Sequence, residues 1–140
     1  MQPARAITVH DFIKAITYSY IAAMEAARKI TVGDAENYKW GSNCDGWHLL
    51  KTESLSVIRE KMPPGTSEQA HMHKKAQQLF YILSGKAVFE IAGEQTSVRA
   101  DESFYVPPNT IHRIFNEGKE ELHFIVISEP RSHGDRIDCG

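Results

Sequence analysis

The sequence has few cysteines, little net charge and no long apolar run, and each shortage argues against a class of protein. Cys44 and Cys139 are its two cysteines. They are too few for the disulfide framework of a small secreted domain, so we expect reduced thiols, with one bridge between them as the alternative. A formal charge of −2 gives no electrostatic reason to expect nucleic acid or an anionic membrane surface as a partner.

Membrane insertion and secretion are not expected either. No apolar run approaches the roughly 18–20 residues that span a bilayer. The N-terminus lacks the basic region, apolar stretch and small-residue cleavage site of a secretory signal. The default expectation is therefore a cytoplasmic protein.

The composition is that of one ordinary globular domain. Of the 140 residues, 41% are apolar and 24% are charged, which is enough to bury a sizeable core. Apolar residues recur at spacings of three and four over residues 9–30, with Phe12, Ile16 and Tyr20 on one side. This spacing predicts an amphipathic helix.

Short runs rich in β-branched and aromatic residues follow the helix. Turn residues separate them, and we predict seven strands, at residues 55–62, 78–83, 87–92, 95–99, 103–106, 112–115 and 122–128. Short strands at this close spacing predict an all-β antiparallel sandwich or barrel. The helix is expected across an open face or edge of the barrel, or at a dimer contact.

The chain is expected to comprise three parts. Residues 1–35 form a helical extension, residues 36–130 the β-barrel, and residues 131–140 a polar C-terminal tail that we expect to be mobile. Small barrels with exposed sheet edges often pair them, so a homodimer is predicted.

Three histidines and a glutamine have the spacing of a metal site. Side chains alternate along a strand, so His71 and His73 project from the same face and can bind one ion. His112, from a distant strand, would supply a third imidazole and leave coordination positions open. Gln78 either binds the metal through its carbonyl or hydrogen-bonds a metal-bound water. A lone histidine is more often a satisfied polar residue, but the three together favour a mononuclear site.

These residues lie in two recognisable motif frames. The first runs Gly65, five residues, His71-x-His73, four residues, Gln78, six residues, Gly85. It resembles the first cupin motif, in which a glutamate usually takes the place of Gln78.

The second frame resembles the second cupin motif. It runs Asp101, five residues, Pro107-Pro108-Asn109, two residues, His112, three residues, Asn116. Asp101 and Asn109 replace glycines of the motif, but both residue types tolerate left-handed backbone conformations, so the turns are expected to survive. The resemblance implies a cupin double-stranded β-helix, or jelly-roll barrel, over about residues 40–128.

The resemblance also implies metal-dependent chemistry. Three neutral imidazoles resemble the three-histidine iron centres of cupin dioxygenases, so a mononuclear Fe(II) dioxygenase acting on a small anionic or chelating substrate is favoured. Zn, Mn or Ni are the alternative metals. The alternative functions are a Zn- or Mn-dependent sugar isomerase or lyase, and a non-catalytic cupin that binds a small ligand. We identify no general acid or base in the sequence, which counts against the isomerase.

Three residues are candidates for contact with the substrate. Alternation places Phe80 on the face of Gln78, and Ile114 on the face of His112, so both are expected to form apolar pocket walls. Trp47 is a candidate aromatic wall at the barrel mouth, although packing in the core is the simpler interpretation.

Other reactive residues receive simpler interpretations. Cys44 could face the metal, but a free cysteine is usually buried for packing. Arg59 and Arg113 could bind a carboxylate, but we expect both to be exposed on strands. The remaining histidines have no partner spacing and are treated as surface or core residues: His10, His48, His123 and His133.

Overall fold

The computed structural model describes residues 5–140, and for residues 22–25 it describes the backbone alone. Helix α1 spans Val9–Glu25 and is shorter than predicted, because Ala26 already adopts an extended conformation (φ −69°, ψ 150°). Its start is fixed by a capping box: the Thr8 hydroxyl accepts from the Asp11 N–H, and the Asp11 carboxylate accepts from the Thr8 N–H, each at 3.1 Å. The helix is not long and apolar enough to cross a membrane, nor is any other helical segment in the described residues.

Within residues 5–140, eleven strands follow the helix. They are β1 (Glu36–Trp40), β2 (Cys44–Lys51), β3 (Ser56–Met62), β4 (His71–His73), β5 (Gln77–Ser84), β6 (Lys86–Ile91), β7 (Glu94–Arg99), β8 (Ser103–Val106), β9 (His112–Phe115), β10 (Leu122–Glu129) and β11 (Arg136–Asp138). They form two antiparallel sheets, ordered β1-β2-β3-β10-β5-β8 and β11-β4-β9-β6-β7. The all-β jelly-roll prediction is therefore confirmed.

The core lies between the two sheets. Strand β10 alternates strictly between buried and partly buried positions up to its last residue, as expected for a strand with one face in the core. Phe80 and Phe89 pack with ring centroids 5.0 Å apart, and Phe89 stacks on Phe104 at 4.3 Å. Cys44 is buried in this core, and both cysteines are free thiols.

All seven predicted strands are present, with ends shifted by one residue in most cases. The turn prediction is also confirmed, because Asp101 (φ 65°) and Asn109 (φ 58°) both adopt left-handed conformations. Strands β1, β2 and β11 were not predicted, and β4 was expected only as the extended segment that carries His71 and His73. β4 and β11 have only three residues each, too few for a periodicity to be visible.

The prediction of a mobile C-terminal tail is wrong. β11 pairs antiparallel with β4, so that Arg136 lies opposite His73 and Asp138 lies opposite His71. The segment is also fixed at its start, because the carboxylate of Asp135 accepts hydrogen bonds from the backbone N–H groups of residues 75 and 76 at 2.8 and 2.9 Å. A polar sequence gives no sign of these partners, since they come from a strand far away in the chain.

Candidate metal centre

Strands β4 and β9, which are neighbours in the five-stranded sheet, bring the three predicted histidines together. His71 and His73 share one face of β4, and His112, the first residue of β9, pairs directly with His71. Their ligand nitrogens all lie within 4.8 Å of one another. The three residues are 2%, 6% and 1% exposed, so the cluster is shielded from solvent.

Hydrogen bonds to backbone carbonyls orient two of the rings. The Nδ1 of His71 lies 2.9 Å from the Gln69 carbonyl oxygen, and the Nδ1 of His112 lies 2.8 Å from that of Thr110. A carbonyl only accepts, so each Nδ1 carries the proton and each Nε2 keeps its lone pair. The Nε2 of His112 and the Nδ1 of His73 are buried without a hydrogen-bond partner among the described residues. Buried, unsatisfied imidazole nitrogens fit a divalent metal ion.

The surroundings keep the imidazoles neutral. Burial, the largest cause, and the neighbouring His112 lower the pKa of His71 to about 3 and the pKa of His73 to about 4. Burial also lowers the pKa of His112. Neutral imidazole is the form that binds a metal, so the set is ready to bind at physiological pH.

Gln78 lies beside the histidines with its carbonyl free. Its amide nitrogen donates to the Ser128 hydroxyl at 3.0 Å, across the β5–β10 pairing. Its Oε1 is buried and has no partner among the described residues. An unsatisfied carbonyl oxygen of this kind suits either a metal ion or a hydrogen-bond donor bound next to it.

A cavity of about 350 Å³ opens beside His73 and Gln78. One part of its wall is apolar and consists of Trp40, Ile58, Phe80, Ile114, Phe124 and Val126. Phe80 and Ile114 thus lie where the strand alternation predicts. Trp47 does not line this cavity. It follows Gly46, whose cavity side is covered by the ring of Tyr38, so Trp47 projects from the opposite face of β2.

The rest of the wall is polar, and apart from His73 and Gln78 its residues were not predicted from the sequence to line a site. It includes Tyr38, Glu60, Glu68, Ser132, His133 and Arg136. The Tyr38 hydroxyl donates to Glu60 Oε1 at 3.0 Å, and Arg136 Nη1 lies 3.1 Å from Glu68 Oε1. Glu68 Oε1 is in turn 3.8 Å from the Nε2 of His71.

Both carboxyl groups hold their protons unusually tightly. Burial raises the pKa of Glu60 to about 8, with the charge of Glu68 adding to the effect. Burial also raises the pKa of Glu68 to about 7, although the Arg136 guanidinium opposes it. Carboxyl groups that titrate near neutral pH can both give and take a proton, so the site contains candidate acids and bases that the sequence did not reveal.

One sequence signal could have identified Glu60. In a strand over residues 55–62, alternation places it on the same face as Ile58 and Met62, both of which are buried. A charged residue on an otherwise apolar strand face indicates a polar partner or a functional site. Glu68 and Arg136 lie outside the predicted strands and give no such signal.

The two arginines considered from the sequence lie outside the cavity. Arg113 pairs with Glu90 at 2.9 Å and stacks over Phe115, while Arg59 lies 3.4 Å from a nitrogen of His123. Arg136, from the supposed tail, is the arginine that lines the cavity.

The interpretation of the remaining histidines changes for two of them. His133 lines the cavity, and the ring of His48 lies 5.0 Å from it, with Tyr38 against both rings. His10 is exposed on the helix.

Comparison with known proteins gives a consistent result. The family model described as "Cupin domain" matches residues 58–128. The chain is 31% identical over 85 residues to an oxalate-binding protein of Thermotoga maritima, an overlap of 57% of this chain and 70% of that protein. Among solved structures, a predicted oxalate decarboxylase of the same organism has a TM-score of 0.68 and 22% identity, covering 74% of this chain and 100% of the other. Pac13, a nucleoside dehydratase of Streptomyces, has a TM-score of 0.67 and 24% identity, covering 81% and 92%.

Proposed function

Because the chain belongs to the cupin domain family, we propose that it binds one divalent metal ion through His71, His73 and His112 and acts on a small anionic substrate that chelates the ion. The observation that carries this proposal is the cluster of three buried, neutral imidazoles beside a cavity of about 350 Å³. The proposal includes a homodimer, and the cytoplasmic location stays a prediction.

Fe(II) is the favoured metal, with Zn, Mn and Ni as alternatives. The donor set of three imidazoles and an amide carbonyl suits any of these ions. When bound, such an ion would polarise the oxygen atoms of a substrate and, as Fe(II), would add redox chemistry.

The charge of the donor set supports an anionic substrate. The three imidazoles and the Gln78 carbonyl are all neutral, so these donors leave the charge of a divalent ion uncompensated. The Glu68 carboxyl group near His71 is already paired with Arg136. In a buried site an opposite charge nearby is strongly favourable, so a chelating carboxylate would be bound firmly. The oxalate-binding protein to which the chain is similar is named for such a ligand.

The first candidate activity is that of an Fe(II) dioxygenase. His71, His73 and His112 would hold the ion as neutral ligands, and Fe(II) held there would supply the redox chemistry of this activity. Phe80 and Ile114 would exclude water from the substrate's carbon atoms.

The second candidate is an isomerase or lyase, and a specific observation favours it. Glu60 and Glu68 line the cavity with pKa values of about 8 and about 7. Groups with such pKa values can transfer protons at neutral pH. They are candidates for the general acid and base that an isomerase needs and that we did not identify in the sequence.

The metal proposal can be tested by elemental analysis of protein purified without added metal. We expect close to one equivalent of one divalent metal per chain. His71→Ala should lower it at least ten-fold, because a remaining pair of imidazoles cannot hold the ion firmly. His10→Ala, on the exposed helix, is the matched control. A metal-free wild type, or a His71→Ala protein with full metal content, would contradict the proposal.

The two activities differ in their need for oxygen. Protein reconstituted anaerobically with Fe(II) should be mixed with diketones, thiols, hydroxylated aromatic acids and sugar acids. Substrate loss matched by oxygen uptake would support the dioxygenase, whereas equal turnover without oxygen would support the isomerase or lyase. Tight binding with no turnover of any compound would indicate a binding protein.

A further inference from the structure

Tyr38, Gly46 and Glu60 form a row across three neighbouring strands. In the antiparallel pairing of β1 with β2, Tyr38 lies opposite Gly46, and in that of β2 with β3, Gly46 lies opposite Glu60. A Cβ atom at Gly46 would lie only 2.3 Å from the Tyr38 Cζ atom and 2.6 Å from its hydroxyl oxygen. The tyrosine ring therefore lies directly over the glycine, in space that any other residue would fill.

This arrangement carries the tyrosine hydroxyl across one strand to reach the carboxyl group on the next. The hydroxyl donates to Glu60 Oε1 at 3.0 Å. No other hydrogen bond to Glu60 is formed by a side chain in the described part of the protein, so its second oxygen is available to a molecule in the cavity. Tyr38 and Glu60 together form a polar wall of the cavity, and His73 and Gln78 line the same cavity.

We propose that Glu60, held in position by Tyr38, is a specificity-determining residue that binds a hydroxyl group of the substrate, which is accordingly a hydroxylated carboxylic acid larger than oxalate. This inference rests on the proposed function, because the carboxylate of the acid is assigned to the metal. The hydroxylated part then extends along the wall formed by Glu60 and Tyr38.

The size and chemistry of the cavity support this substrate class. A volume of about 350 Å³ lies within the roughly 300–1,000 Å³ of ordinary small-molecule sites, so oxalate would leave much of it unfilled. A neutral carboxyl group both donates and accepts a hydrogen bond, as a hydroxyl group does. The groups that face Glu60 are Tyr38, Glu68 and Arg136, and burial keeps the pKa of Glu60 high among them. In the metal-free protein Glu60 therefore keeps its proton at pH 7, and in either protonation state its carboxyl group can form a hydrogen bond with a hydroxyl group.

The test compares two acids that offer the same chelating group. D-gluconate and 2-hydroxyhexanoate are both six-carbon 2-hydroxy acids, but only gluconate has further hydroxyl groups. Their binding to the Zn-loaded protein is measured by calorimetry at pH 7, with oxalate as a reference anion. Wild type should bind gluconate at least ten-fold more tightly than 2-hydroxyhexanoate, because the second acid leaves the second carboxyl oxygen of Glu60 without a hydrogen-bond partner.

Variants separate recognition from folding. Glu60→Leu should remove the preference, and Glu60→Gln, which can still donate and accept, should retain most of it. Tyr38→Phe and Gly46→Ala should each reduce it several-fold, the second by displacing the tyrosine ring without removing a polar group. The control is Tyr81→Phe, which removes a similar tyrosine–carboxylate bond, to Asp101 at 3.1 Å, on the outer surface.

Metal content and oxalate affinity are measured for every variant. If wild type binds metal but neither oxalate nor gluconate, the proposed function fails and this inference fails with it. If oxalate binds normally but gluconate is not preferred, or if the preference survives in Glu60→Leu, only the role of Glu60 is overturned.

Discussion

A glutamate at position 78 would add one negative charge to the metal-binding residues, whereas the amide of Gln78 adds none. Its amide nitrogen is already used by the Ser128 hydroxyl, and only the carbonyl oxygen faces the site without a partner. The residue therefore contributes dipole without charge. In a site with effective dielectric far below that of water, that distinction decides how firmly a second anion is held.

The substitution Gln78→Glu should raise the affinity for the metal and lower the affinity for oxalate. A carboxylate at this position should tighten Zn or Mn binding at least ten-fold and weaken oxalate binding at least ten-fold, because it supplies the negative charge that the substrate otherwise brings. Competition with a chromogenic chelator and calorimetry with oxalate measure the two effects. Gln77→Glu, on the exposed neighbouring position, is the control. An unchanged oxalate affinity in Gln78→Glu would mean that the amide only supports the fold.

Glu60 should make the metal-free protein less stable at alkaline pH. Its pKa in the folded state, about 8, lies above its ordinary value of 4.5, so the folded state holds the proton more tightly than the unfolded state. The resulting stabilisation is fully present below pH 4.5 and is lost as the pH rises through about 8. Thermal unfolding between pH 5 and 9 should show a fall in Tm that is smaller in Glu60→Gln. Parallel curves for the two proteins would contradict this assignment.

At the scale of secondary structure elements, the three-residue strand β11 supports both the metal-binding strand and the cavity wall. It completes the sheet beside β4, which carries two of the metal-binding histidines, and it places Arg136 next to Glu68. The segment is held at its start by Asp135. Burial would raise the pKa of this carboxyl group, but the N–H groups of residues 74–76 and the nearby His73 together lower it.

Asp135→Ala should release this strand. The carboxylate accepts two backbone hydrogen bonds, at 2.8 and 2.9 Å, and bonds to a charged group contribute about 1.5–3 kcal/mol each at most. Since the residue is partly exposed, we expect a loss of about 2 kcal/mol in the free energy of unfolding, measured by urea denaturation. Faster amide hydrogen exchange in residues 136–138 should accompany it. Asp34→Ala, in a turn remote from β11, is the control; exchange in β11 that equals wild type would refute the idea.

The elements that the sequence revealed are those whose pattern is local. Buried and more exposed residues alternate along β5 and β10, with only the last residue of β5 out of pattern, so their periodicity is visible in the sequence. The histidine pair is visible for the same reason, since a spacing of two fixes a common face. Which strands lie beside one another is not local information, so the approach of Tyr38 to Glu60, or of Arg136 to Glu68, could not be predicted.

At the scale of the whole molecule, α1 presents an apolar side that the barrel leaves exposed. Phe12 is 62% exposed, Ile13 55% and Ile16 53%. These residues recur at helical spacing and form one stripe. Exposed apolar stripes on a helix commonly mark a contact with another protein, and a second copy of this chain agrees with the predicted homodimer.

Ile16→Glu should shift the protein towards the monomer. A charge at the centre of the stripe would have to be desolvated on association, so the dimer should weaken at least ten-fold. Sedimentation at several concentrations measures the effect. Lys14→Glu, a charge change on the same helix outside the stripe, should sediment like wild type. A dimer that persists in Ile16→Glu would assign the contact to another surface, such as a sheet edge.

The cavity joins parts of the chain that are remote in sequence. The contact between Arg136 and Glu68 spans 68 residues, and that between Tyr38 and Glu60 spans 22. Contacts of large sequence separation form late, because the entropy of closing the intervening loops must be overcome first. The metal site has the same property, because His71 and its pairing partner His112 lie about 41 residues apart and two imidazoles alone do not hold the ion firmly. Metal binding and substrate selectivity are thus both properties of the completely folded chain, and neither can be assigned to one segment of it.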